Sequence, residues 1–157
     1  MEKSKHNMQG MSYKMFLMTM LISFIIMYVI MFLNIMELNH FYISITRIYM
    51  ALLMVSIMAV VMMLMMGKMY PNKKMNTGII IAGIAVFIIT LVGLRTQTPV
   101  GDIQYMKAMI PHHSSAILTS SNADIKDPEV RMLADGIIEA QKKRNCTNES
   151  NDSEVGK

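Results

Sequence analysis

Three apolar runs set the limits on what this chain can become. Met15 to Leu33 (MFLMTMLISFIIMYVIMFL), Ile48 to Met66 (IYMALLMVSIMAVVMMLMM) and Gly78 to Leu94 (GIIIAGIAVFIITLVGL) contain no Asp, Glu, Lys, Arg or His. A helix rises ~1.5 Å per residue and a bilayer's hydrocarbon core is ~30 Å thick, so each run is about long enough to span it. A backbone inside that core must satisfy its own polar groups, which selects helices. Composition agrees: at 53% hydrophobic and 17% charged over 157 residues, the chain is too apolar for a soluble domain and too charged to be membrane span throughout. The sequence predicts an all-α protein with a membrane domain over 15–95, whose three transmembrane helices are 15–33, 48–66 and 78–94.

A secretory leader is the competing reading of the first run, because Lys3, Lys5 and Lys14 precede it. The run exceeds the ~7–15 residues usual for such a leader, and NIMELNH after it offers no small-x-small cleavage site. An uncleaved anchor is expected. Lys and Arg near the span ends then set orientation. Three lysines precede the first span and Lys68, Lys73 and Lys74 lie in the second connection, against Arg47 in the first; Arg95 and Lys107 follow the third span. This bias puts residues 1–14 and the second connection in the cytoplasm and the C-terminal part outside it, in a multi-pass protein of the plasma (inner) membrane.

The spans carry little chemistry of their own. Transport proteins place ionisable residues or broken helices within the bilayer, whereas the polar content here is Thr19, Ser23, Ser56 and Thr90. In the second span Met50, Met54, Met58, Met62 and Met66 recur every four residues. A thioether path for Cu(I) is one reading; Met as a flexible filler of helix contacts is the plainer and preferred one. The net charge of +4 is dispersed and forms no basic face, so no nucleic-acid partner is expected.

Residues 96–100 (TQTPV) read as a linker, and residues 101–143 as a helical hairpin outside the membrane. In its first helix Asp102, Met106, Met109 and His113 recur at i, i+4, i+7 and i+11, with His112 on the flank. Pro111 removes one backbone donor and is expected to kink the helix there. Thioethers and imidazoles on one stripe suit a soft metal ion; a solvated or packed His pair without metal is the plain alternative. The second helix starts with Asp127 as N-cap, Pro128 as first residue and Glu129 at the positive end of the dipole. Val130, Leu133, Ala134, Ile137, Ile138 and Gln141 then form the face expected to lie on the first helix. Two short helices bury little, so dimerisation or docking on the membrane part is implied.

GDIQYMKAMIPHHSSAI followed by DPEVRMLADGIIEAQ resembles the domain-of-unknown-function 305 family of bacteria, over about residues 101–141. The resemblance implies a helical, ferritin-like fold and extracytoplasmic copper binding linked to copper and silver tolerance. Carried over by position, it implies metal-facing roles for Met106, Met109, His112 and His113, with Asp102 accessory. After Gln141 the family pattern continues its helix, whereas this chain reads KKRNCTNESNDSEVGK. Residues 144–157 are therefore expected to be a disordered tail. One set of codons permitted for that tail, shifted by one base, reads EIARMKAMIQKLE, which restores the family's pattern and suggests a frameshift. Cys146, the lone cysteine, excludes an intramolecular disulfide and reads as incidental; His6 and His40 have no partner pattern and read as structural.

Three functional classes remain. The leading one is a membrane-anchored extracytoplasmic protein that binds copper, as Cu(I) or Cu(II), or silver, in buffering or tolerance. The alternative is a non-catalytic helical interaction or oligomerisation module without physiological metal. An enzyme ranks last, because the Glu-x-x-His pairs of di-metal bundles are absent. The expected partners are membrane lipid, a metal ion and further copies of the chain in a homo-oligomer.

Overall fold

The computed structural model describes residues 12–155, with side chains through residue 150; Lys3, Lys5, His6 and most of the 1–14 segment lie outside the described residues. Among the described residues the fold has five α-helices: α1 (Tyr13–Ile30), α2 (Ile45–Met66), α3 (Lys73–Thr96), α4 (Asp102–Asn122) and α5 (Pro128–Val155). No strand occurs among the described residues. Short 3₁₀ turns, Leu38–His40 and Gly67–Met69, lie in the two connections of the membrane part.

The first three helices are long and apolar enough to cross a membrane, over Tyr13–Ile30, Ile45–Met69 and Lys73–Thr96. They begin two to five residues before the apolar runs because polar caps start them. The Ser12 side chain accepts from Lys14 N, that of Ser44 from Arg47 N, and Asn72 Oδ1 from both Lys74 N and Met75 N. Each cap satisfies an N–H that a helix start leaves without an intrahelical partner. Only 11%, 22% and 6% of the three apolar windows is buried within the chain, so the outward side chains are those that hydrocarbon would cover.

At one end of the bundle Phe16, Met20, Met63 and Tyr70 form a core cluster against which Met58, Met62 and Met66 pack. Three members of the methionine row are thus packing residues, as the plainer reading had it. The same end is tied by polar groups: Tyr13 Oη lies 2.8 Å from Asn76 Oδ1 and 3.0 Å from the Asn72 carbonyl, and Asn76 Nδ2 donates to the Gly67 carbonyl at 2.8 Å. Farther along, α2 and α3 approach closely at Gly83, where an added Cβ would lie 2.8 Å from Val60 Cγ2 and 3.3 Å from the Ser56 carbonyl. Small residues permit such approach between apolar helices.

At the other end Phe32 and Phe41 lie 3.9 Å apart between centroids, and the Arg47 guanidinium lies 4.1 Å over the Phe32 ring. Arg47 Nη1 also donates to the Met31 carbonyl. This end carries the hairpin. Gln104 Oε1 accepts from Ile45 N at 3.2 Å, Asn34 Nδ2 donates to Ser115 Oγ at 2.8 Å, and Met36 N donates to Ser114 Oγ at 2.7 Å. The burial that two short helices lack is supplied in part by docking on the connection between α1 and α2.

Helix α4 keeps its helical assignment through Pro111, which is buried. Its deeply buried stripe is Met106, Ile110, His113 and Ile117, spaced i, i+4, i+7 and i+11. α5 starts as the sequence predicts, with Asp127 Oδ1 accepting from Glu129 N at 2.8 Å and Val130 N at 3.1 Å. It then runs back along α4: Arg131 Nη2 donates to the Ser120 carbonyl near the turn, and Asn145 meets His113 farther down.

Two expectations are corrected here. Of the face expected on α5, Ala134 is buried and Ile137, Ile138 and Gln141 are half-buried, but Val130 and Leu133 are 48% and 65% exposed. Arg131 and Ala134, their neighbours, are the residues of this first part of α5 that meet α4 or are buried. The polar tail expected as coil from residue 144 is helical to Val155. Asn145 and Glu149, one turn apart, fall on the side facing α4 and the first connection, and the contacts they make outweigh the weak helix propensity of the Asn and Ser residues.

Candidate metal-binding cleft at the hairpin junction

The five residues singled out by the sequence divide between two sides of α4. Met106 and His113 face α5, each 8% exposed, whereas His112 points away from it and is exposed. The two imidazole centroids are 6.3 Å apart with planes at 54°, as the ~100° turn between successive helical residues dictates. Met109 is half-buried between the two sides, and Asp102 is exposed at the helix start. Met106, Met109, His112 and His113 are therefore not gathered around one point.

His113 is held as a structural group. Its Nδ1 lies 3.0 Å from Asn145 Oδ1, and Asn145 Nδ2 donates to the Ile110 carbonyl at 3.3 Å. Burial pushes the His113 pKa below its usual range; the Asn145 hydrogen bond opposes this, while the neighbouring His112 and Arg144 add to it. The cleft beside His113, of about 510 Å³, is shared with Tyr105, Met109, Lys143 and Arg144. Two fixed cations disfavour a metal ion there.

His112 opens on the other side, into a cleft of about 600 Å³ between α4, the end of α1 and the start of α2. Met31, Met50 and Met109 line it, together with Asn34, Arg47 and Ser115. No carboxylate lines it, and among the described residues no group of three His, Cys, Asp or Glu side chains could hold a metal ion. Beside the neutral oxygens of Asn34, Thr46 and Ser115, the soft or borderline donors are one imidazole and three thioethers, a neutral set that suits soft monovalent ions better than a hard dication. Arg47 is engaged by the Met31 carbonyl and the Phe32 face; its charge opposes any cation in the cleft, a dication more strongly than a monovalent ion.

A third polar cluster joins residues that no sequence pattern connects. His40, taken as solitary, is 7% exposed; its Nδ1 lies 2.8 Å from Ser114 Oγ and its Nε2 lies 3.2 Å from Glu149 Oε1 and 4.0 Å from Glu37 Oε2. Ser114 Oγ accepts from Met36 N, so the arrangement that satisfies every group has the hydroxyl donating to Nδ1 and Nε2–H donating to Glu149. A serine, a histidine and a carboxylate suggest a nucleophile relay. Ser114 is fully buried with its hydroxyl engaged on both sides, so this cluster joins α4, α5 and the first connection. No spacing in the sequence links residues 40, 114 and 149.

Fold and cleft together define a class: an all-helical chain with three helices long and apolar enough to cross a membrane and a helical hairpin docked on the connection between the first two. The chain is similar to an uncharacterized protein of Acanthamoeba polyphaga mimivirus, with 39% identity over 105 residues, 66% of this chain and 66% of the viral one. The chain thus spans just under two thirds of that relative. No protein-family profile and no solved structure matches the chain.

Proposed function

We propose that this is a multi-pass membrane protein whose hairpin, on the non-cytoplasmic side, holds a soft monovalent metal ion, Cu(I) or Ag(I), in a buffering or tolerance role. The observation that carries the reading is that Met109 and His112, one turn apart on α4, line one carboxylate-free cleft. The resemblance of residues 101–141 to the domain-of-unknown-function 305 family supports the copper assignment, and the lysines at Lys14, Lys68, Lys73 and Lys74 support the orientation. The ligand roles narrow from the stripe to Met109 and His112, with His113 and Met106 supporting the helix pair. The test is Cu(I) retention by the full chain in detergent against a competing chelator. His112→Ala is expected to weaken retention at least about tenfold, and His113→Gln to leave it within a few-fold. Equal retention by His112→Ala and the parent chain would overturn the reading.

A second reading, a helical interaction module, draws support from one feature. Val130, Met132 and Leu133 stand 48%, 69% and 65% exposed on neighbouring positions of α5. Under that reading Leu133→Lys changes the oligomeric state and the metal titration is blank.

A further inference from the structure

We infer that the membrane part supplies two of the metal ligands, Met31 at the end of α1 and Met50 one turn into α2, so that the site exists only when the hairpin is docked. This rests on the soft-metal reading above and goes beyond it by moving half of the ligand set out of the hairpin.

Four observations carry the inference. Met31, Met50, Met109 and His112 line the same cleft. Met50 differs from Met58, Met62 and Met66 of its row: those three pack on the core cluster, while Met50 is 41% exposed and lines the cleft with Thr46 and Arg47. The Met31 backbone is fixed by the Arg47 guanidinium on its carbonyl, which leaves its unbranched side chain as the adjustable part. Two ligands from α4 alone would give Cu(I) at most a two-coordinate site, whereas three thioethers and one imidazole make a four-coordinate soft set, and Met side chains have the rotatable bonds to converge on an ion.

The hairpin is fastened over this cleft by Asn34 to Ser115 and by Met36 and His40 to Ser114. Metal affinity and docking are therefore coupled: an ion bridging α1, α2 and α4 stabilises the docked arrangement, and loosening the dock weakens the site.

The test uses the full chain in detergent micelles, Cu(I) as probe, a chromogenic Cu(I) chelator as competitor, and X-ray absorption to count sulfur neighbours. The double variant Met31→Leu/Met50→Leu conserves volume, and Met54→Leu is the control within the row. The expected result is three sulfur neighbours in the parent chain and one in the double variant, with retention at least about tenfold weaker and Met54→Leu unchanged. An unchanged sulfur count and affinity in the double variant, with His112→Ala still impaired, would overturn this inference and leave the function standing. No retention by the parent chain would overturn both. Unaltered helicity and elution volume of the variant exclude misfolding as the cause of a loss.

Discussion

Ser114 Oγ lies 2.8 Å from Nδ1 of His40, a contact between residues 74 positions apart that fastens the hairpin to the connection between α1 and α2. The same hydroxyl accepts from Met36 N at 2.7 Å, so one fully buried side chain satisfies two groups of the connection. Buried polar groups left without partners cost about 1–3 kcal/mol each. Ser114→Ala is therefore expected to undock the hairpin locally more than it unfolds the helices. Hydrogen exchange at residues 34–44 should accelerate while exchange within α2 and α3 stays slow. Unchanged protection of 34–44 would contradict the fastening role.

Asn145 holds α5 to α4 through His113 and the Ile110 carbonyl. Asn145→Leu keeps the branched shape, though not the volume, and removes both hydrogen bonds, leaving a buried imidazole nitrogen unpaired, at an expected cost of about 1–3 kcal/mol to the helix pair. Thermal unfolding followed by circular dichroism would register it. The parent chain is expected to melt higher than Asn145→Leu, and an equal midpoint would show that the tail of α5 contributes nothing.

Because burial holds the folded His113 pKa down, the unfolded chain binds this proton at a higher pH than the folded one. Between the folded value and the unfolded value of ~6.5, the unfolded state carries more protons, so stability rises with pH across that window. The His113 contribution is complete above ~6.5 and is lost as pH falls toward the folded value. In metal-free protein, His113→Gln should flatten that part of the stability profile relative to the parent chain. Parallel profiles would contradict it.

Gly83 and Gly78 lie on the same helix in different surroundings. A Cβ at Gly83 would meet Val60 and the Ser56 carbonyl, whereas one at Gly78 meets nothing within 4 Å. Gly83→Ala is expected to cost about 1–3 kcal/mol through overpacking of α2 on α3, and Gly78→Ala to be neutral or slightly stabilising. Unfolding in detergent separates the two, and equal effects would argue against the close approach.

Cys146 is an exposed free thiol on α5 and reports on orientation without any engineered residue. A membrane-impermeant maleimide added to intact cells should label the parent chain and fail on Cys146→Ser. Labelling that requires permeabilised cells would put the hairpin in the cytoplasm and reverse the proposed topology.

The three long helices and the start of α5 were legible in the sequence because each rests on local physics: uninterrupted apolar runs, and a side-chain cap with Pro128 behind it. The division of the site was less so. His112 and His113 are neighbours in sequence but about 100° apart around the helix, and only the position of α5 decides which is buried. Met50 was hidden in a regular row of which Met58, Met62 and Met66 pack the core, and only its height on α2 brings it to the cleft. The tail was misread because Asn and Ser signal coil locally, while Asn145 and Glu149 gain their partners from residues 113 and 40, which no local pattern connects to them.

The most direct test of the central claim is a metal titration of the parent full chain in detergent, under reducing conditions, with Cu(I) and Zn(II) in parallel. The thioether and imidazole cleft is expected to retain one Cu(I) per chain against a chelator and to release Zn(II) at comparable competition. Failure to retain Cu(I), or retention of Zn(II) as firmly as Cu(I), would contradict a soft-metal site at this junction.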